Sequence, residues 1–158
     1  MIPEVSARRD LADAKALVAH FLACGGDFLT KLQARVDLED YANKLCAHAL
    51  RFEAYAAGVL IGLVAVYAND QLRQLAFISN VSVLPAWRGR GIASDLLRDC
   101  IASLQRVGFV AIDLEVEEDN IGARRFYAGL GFTATTVAPA GRRLRLDLMK
   151  GGSFEHRA

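Results

Sequence analysis

Between a strand-like run and a strongly amphipathic stretch the chain carries Pro85-Ala86-Trp87-Arg88-Gly89-Arg90-Gly91-Ile92-Ala93-Ser94, and no other segment restricts the fold as much. Pro85 removes a backbone donor and ends a strand of about Gln74 to Val83. From Gly91 to Arg106, residues Ile92, Leu96, Leu97, Cys100, Ile101 and Leu104 fall on one face, the pattern of a helix lying across a sheet. A glycine turn that leads into a helix exposes successive amide hydrogens where the helix dipole is positive, so such a corner can cradle a pyrophosphate. Arg88 and Arg90 add to that field. The plain alternative is a chain reversal whose arginines are merely solvated.

Around this corner the periodicities predict a definite order of elements. Leu11, Ala14, Leu17, Val18 and Phe21 form one stripe of a helix over Asp10 to Leu22, which Cys24-Gly25-Gly26 stops. Asp37 can cap a second helix through about Leu50. Phe52 to Ala68 reads as two apolar strands joined near Gly58, and the strand ending at Pro85 makes the meander three-stranded. Val110 to Glu117 alternates, with Ala111, Asp113, Glu115 and Glu117 on one side, a carboxylate-bearing face. Asn120 can cap a short helix to Gly129 or Leu130, Gly131 suits the left-handed residue after it, and Phe132 to Val137 with Arg143 to Met149 form a hairpin across Pro139-Ala140-Gly141. The chain is expected to form an α/β protein of the α+β type, one domain over residues 1–150, with 151–158 as a flexible tail. A chain of 158 residues suits one core.

Several function classes are disfavoured. A formal net charge of +1 gives no chain-wide pull toward nucleic acid. The first apolar run is broken by Asp10, Asp13 and Lys15, so neither a secretory core nor a membrane span is expected, and the cytoplasm is the expected compartment. Cys24, Cys46 and Cys100 read as reduced core thiols, and with His20, His48 and His156 scattered, no metal is expected. Gly89-x-Gly91 with Ser94 and Glu115 partly fits a dinucleotide fingerprint, but the third glycine is missing and the turn does not directly follow its strand. A P-loop ending and a Gly-x-Ser-x-Gly elbow are both missing.

The pattern Val81-Ser82-Val83-Leu84-Pro85, then Arg88-x-x-Gly91-x-Ala93, resembles the acyl-CoA-binding segment of the GNAT superfamily of N-acetyltransferases. Leu114-Glu115-Val116, Asn120 and Phe126-Tyr127-x-x-x-Gly131-Phe132 resemble the second half of that family's core, in the same order and spacing. The resemblance implies a GNAT-like mixed, mostly antiparallel central sheet of six to seven strands flanked by about four helices. It implies an enzyme that moves an acetyl group from acetyl-CoA to a primary amine of a small molecule, protein or peptide, by direct attack in a ternary complex. By it, the backbone of Val81, Ser82 and Val83 pairs with the pantetheine arm, while Arg88, Gly89, Arg90, Gly91, Ile92, Ala93 and Ser94 hold the pyrophosphate. Asn120 approaches the arm, its alternative being a plain helix cap. A homodimer is compatible with the family, and a non-catalytic acyl-CoA sensor is the competing reading. The spacing Glu-x-x-x-x-Asn-x-x-x-x-x-x-Tyr is most similar to amino-terminal acetyltransferases of the ribosomal-protein type, although Glu117 stands where those often carry a basic residue.

Acyl transfer to an amine needs three services. An amine with a pKa near ~10 must lose a proton before attack, and Glu115 is the candidate base, acting through one water, with Asp113 and Glu117 as fallbacks. The Val83 amide is the donor that the resemblance suggests for the oxyanion. Tyr127, nearly two helical turns after Asn120, is the candidate acid for the departing thiolate, its alternative being a packed aromatic. The acceptor is left open, because Asp113, Glu117, Glu118 and Asp119 would favour a cation while Arg142, Arg143 and Arg145 would attract an anion.

Overall fold

The computed structural model describes residues 2–70, 72, 74–138 and 141–149. Among the described residues there are five α-helices and seven strands, and the strands are ordered β1-β2-β3-β4-β5-β7-β6 in one sheet. They are β1 (Val5–Arg9), β2 (Ala49–Ala56), β3 (Val59–Tyr67), β4 (Leu75–Val83), β5 (Ala111–Val116), β6 (Thr133–Ala138) and β7 (Gly141–Asp147); the helices are α1 (Ala14–Cys24), α2 (Gly26–Arg35), α3 (Leu38–His48), α4 (Ile92–Arg106) and α5 (Ile121–Gly129). The expected mixed, mostly antiparallel sheet is present; β4 and β5 run parallel, and β1–β2, β2–β3, β5–β7 and β6–β7 run antiparallel. The residues group into two compact units, Met1–Tyr67 with Ser79–Cys100, and Ala68–Ile78 with Ile101–Ala158.

In the first unit the amino-terminal segment differs from the sequence expectation. Asp10 does not begin a helix: its φ is +54°, and it closes β1 onto β2 by accepting the Arg51 amide at 2.7 Å. Asp13 is the actual cap, accepting the Ala16 amide at 2.8 Å, so α1 starts at Ala14. Gly25 does stop α1, yet the chain enters α2 at once, so three helices precede the meander instead of two. Asp37 caps α3 as expected, and the β2–β3 hairpin turns through Ala57 and Gly58, both at positive φ, the signature of a two-residue turn.

Leu17 and Phe21 of α1, Tyr41, Ala42 and Leu45 of α3, and Leu63 and Ala65 of β3 form the core of this unit. Truncating a fully buried Phe21 to Ala would cost about 3–5 kcal/mol. The start of α4 crosses β3 at Gly62, where an added Cβ would stand 2.7 Å from Ile92 Cγ2, so any side chain there would force Ile92 to shift. Beneath the start of α1 lies a buried ion pair, Arg51 Nε to Glu53 at 3.2 Å. Glu53 also accepts the Leu11 and Ala12 amides and the Tyr55 hydroxyl, and Arg51 donates to the Leu45 and Ala12 carbonyls.

In the second unit the strand order is β4-β5-β7-β6, with β4 contributing only its first residues, 75–78. The parallel ladder comprises Leu75↔Ala111, Ala76↔Ile112 and Phe77↔Asp113 among the described residues, so Val81–Val83 lie beyond it. The carboxyl-terminal hairpin pairs as expected, with Pro139 and Ala140 of its predicted turn, and the predicted tail 151–158, outside the described residues.

Candidate active site

The glycine-arginine corner is built as its sequence suggests. After β4, Pro85–Trp87 form a short 3₁₀ turn, with Trp87 N–H donating to Leu84 at 2.9 Å. Gly89 and Gly91 then sit at φ +75° and +79°, a region costly for any residue with a side chain. The first backbone bond at this end of α4 runs from Asp95 N–H to the Gly91 carbonyl at 3.0 Å. The amides of Ile92, Ala93 and Ser94 precede it and lack an intrahelical acceptor, which leaves them for an anion. No heavy atom lies within 4 Å of a Cβ placed on either glycine, so their outer faces are open to an approaching group.

Two arginines frame this corner. Arg88 donates from Nε to the Val83 carbonyl at 3.1 Å, tying the turn to the end of β4. Arg90 lays its guanidinium over the Trp87 ring, 4.8 Å from the centroid, a cation–π contact that pre-positions the charge. Trp87's part in this was not read from the sequence, though it stands inside the diagnostic segment. Val81 and Val83 are half-buried while Ser82 turns its side chain into the protein. There the Ser82 hydroxyl oxygen lies 2.9 Å from His20 Nε2.

On β5 the expected carboxylate-bearing face forms an ion-pair lattice with β7. Asp113 and Glu115 lie directly opposite Arg145 and Arg143. Arg145 donates to Asp113 from Nε at 2.6 Å and from an Nη at 2.9 Å, and Arg143 adds a third bond at 2.9 Å. Burial works to raise the Asp113 pKa, but the hydrogen bonds from Arg145 and Arg143 prevail and hold it below the ordinary value. A carboxylate so occupied is a poor base, which removes Asp113 as a fallback. Arg143 also reaches Glu115 Oε2 with Nη1 at 3.3 Å, and its guanidinium lies 5.3 Å from the Phe77 ring centroid. The third arginine, Arg142, pairs with Glu118. The three arginines are thus paired with Asp113, Glu115 and Glu118, so these charges neutralise one another in place of pointing to an acceptor.

Asn120 caps α5, its side-chain oxygen accepting the Ala123 amide at 3.1 Å. Tyr127, in the last turn, is buried between Phe126 and Phe132, with ring centroids 5.1 and 5.7 Å away. Burial pushes its hydroxyl up to about 12. Among the cysteines, Cys24 and Cys100 are core thiols, but Cys46 is exposed, contrary to expectation. No cluster of three metal-binding side chains exists among the described residues, and no described helix is long and apolar enough to cross a membrane.

The model of the acetyltransferase (GNAT) family matches residues 15–132, and the chain belongs to that family. It is 33% identical over 84 residues to N-alpha-acetyltransferase MAK3 of Arabidopsis thaliana, covering 52% of this chain and 44% of that protein. To the ribosomal protein bS18-alanine N-acetyltransferase of Haemophilus ducreyi it is 32% identical over 75 residues, covering 48% and 52%. The chain thus spans about half the length of these curated relatives, or less. PaiA N-acetyltransferase from Thermoplasma acidophilum, solved in complex with coenzyme A, superposes with a TM-score of 0.76 at 15% identity, covering 91% of this chain and 99% of that one. The ribosomal-protein-S18-alanine N-acetyltransferase from Escherichia coli gives 0.73 at 19% identity, covering 92% and 94%. At such identities the likeness is one of fold.

Proposed function

We propose that this chain is an acetyl-CoA-dependent N-acetyltransferase acting on a primary amine by direct attack in a ternary complex, with residues 1–150 as one catalytic domain. The family match runs unbroken from 15 to 132, through both compact units, which supports reading them as parts of one enzyme. The observation that carries the proposal is the corner from Arg88 to Ser94: two glycines at positive φ, three leading amides of α4 and two held arginines. That donor set fits a diphosphate, which needs many hydrogen bonds and positive charge but no side-chain bulk.

Acetyl-CoA, when bound, supplies an acyl carbon activated by its thioester. Val81 and Val83 offer main-chain groups to the pantetheine arm, and the Val83 amide is the donor for the oxyanion, a service worth several kcal/mol where water is excluded. Glu115 is the base, relayed by one water to the amine. Arg143 occupies its Oε2, which leaves Oε1 to receive the proton. Tyr127 stays protonated across the neutral range and meets the departing sulfur as a hydrogen-bond donor. Since a thiol titrates near ~8.5, complete transfer from a phenol at about 12 runs uphill, so the hydrogen bond carries its contribution and solvent completes the protonation.

The acceptor class is a primary amine, and two relatives named above for amino-terminal acetylation make peptide amino termini the first to try. The cytoplasm is the compartment we assign, because Cys24, Cys46 and Cys100 are free thiols, as a reducing environment keeps them. The test is thiol release from acetyl-CoA with a panel of polyamines, aminosugars and peptides beginning with alanine. Amine-dependent release is expected. Binding of acetyl-CoA without release for any acceptor would leave a sensor domain, and no binding at millimolar nucleotide would remove the reading.

A further inference from the structure

A buried polar chain behind β4 has no part in the transfer chemistry. His20 of α1, 2% exposed, has Nδ1 3.1 Å from the Leu60 carbonyl of β3 and Nε2 2.9 Å from the Ser82 hydroxyl of β4. The same hydroxyl lies 2.8 Å from the side-chain amide of Asn80. A carbonyl only accepts, so Nδ1 carries the hydrogen. Burial lowers the ring's pKa, so the ring is neutral and Nε2 accepts from Ser82. The Asn80 atom that faces this hydroxyl is Oδ1; one hydroxyl has one hydrogen to give, so with Nε2 accepting it the Asn80 amide is assigned the flipped orientation, its NH₂ toward the Ser82 oxygen. The bonds then run in one sense, Asn80 to Ser82 to His20 to Leu60, and each polarises the next.

We propose that His20 is a positioning residue for the donor-binding strand, holding the main chain of Val81–Val83 in place through Ser82. The inference rests on the reading of those three residues as the acyl-CoA contact. Successive strand side chains point to opposite faces, so fixing Ser82 on the buried face fixes the peptide groups on both sides of it. An apolar contact would let the strand slide by fractions of an ångström, whereas a directional bond from a ring anchored on Leu60 does not. Cys24 Sγ lies 3.6 Å from Nε2 and fills the space beside it.

The test compares the wild-type chain with His20→Leu, which breaks the link, and His20→Gln, whose amide oxygen reaches the Nε2 position. Acetyl-CoA is the varied substrate. His20→Leu should raise its KM roughly five- to tenfold, the loss of about one hydrogen bond, and lower kcat with it, because the Val83 amide moves with the strand. His20→Gln should recover most of the KM. A residue that only supports the fold would cut the active fraction, lowering kcat at unchanged KM, and that outcome overturns the proposal. Should His20→Leu not fold, nitrogen-15 NMR of the wild-type imidazole decides: the Nδ1–H tautomer with a bare, hydrogen-bonded Nε2 is expected, and an Nε2–H form at neutral pH overturns it. Wild-type protein that never turns over acetyl-CoA would remove the parent reading, while an active wild type with unshifted KM in His20→Leu removes this inference alone.

Discussion

Replacing Gly91 by alanine isolates the contribution of the corner to cofactor binding. At φ +79° an L-residue is strained by about 1–2 kcal/mol, and because no heavy atom lies within 4 Å of the new Cβ, the backbone is the whole of the cost. In the free protein the turn can relax to shed that strain. Coenzyme A must then restore it, so the same energy reappears as weaker binding, roughly 5- to 30-fold in Kd at 1.4 kcal/mol per decade. Gly129→Ala is the matched control, since its surroundings are equally open and its φ is ordinary for a side chain. It should bind coenzyme A normally and gain up to ~1 kcal/mol of stability from its helical position. Calorimetric titration with coenzyme A, beside thermal melts of both variants, gives the comparison. A Gly91→Ala protein with a lowered Tm but wild-type Kd would refute the placement of the diphosphate here.

Further outcomes follow from the other parts of the site and core. Tyr127→Phe should slow transfer by roughly 10- to 100-fold, the loss of a hydrogen bond to a developing thiolate, with coenzyme A affinity unchanged, as read by single-turnover kinetics and titration. The unfolded chain releases the tyrosine proton near 10 and the folded one near 12, so stability should fall as pH rises through that window, and the Phe variant should lack this component in alkaline melts. Glu115→Gln should lower the neutral-pH rate by on the order of 100-fold; undiminished activity would pass the base role to another carboxylate or to bulk water. Glu53→Gln, which leaves Arg51 buried without its anion, should cost about 3–5 kcal/mol and lower Tm by on the order of 10 °C.

The parts of the fold that the sequence made legible are those set by local chemistry. Asp37 and Asn120 cap because their side chains reach an amide three residues on, and Gly89 and Gly91 mark the corner because their backbone conformation is costly to other residues. What escaped was decided at a distance. β1 has no apolar alternation and is a strand through its ladder with β2, from Val5↔Ala56 to Arg9↔Phe52. α2 buries a single residue, Leu32, too little to show as a stripe. Asp10 and Asp13 are equal candidates for a cap, and only the bond from Arg51, 41 residues away, separates them. The face bearing Asp113 is covered because β7 brings two arginines opposite it, and His20 finds partners 40 and 62 residues along the chain. The demands of acyl transfer, once the resemblance suggested that reaction, pointed to Glu115 and Tyr127, whereas the clamp of Arg143 on Glu115 and the stack of Arg90 on Trp87 needed coordinates.

The four-membered lattice of Asp113, Glu115, Arg143 and Arg145 carries no net charge, and each member touches at least one of opposite sign. Exchanging any single position therefore leaves an unmatched charge within the lattice, while exchanging an acid and a base together keeps its net charge unchanged. Anyone redesigning this surface for a new acceptor would have to work in couples, choosing both ends of a rung at once.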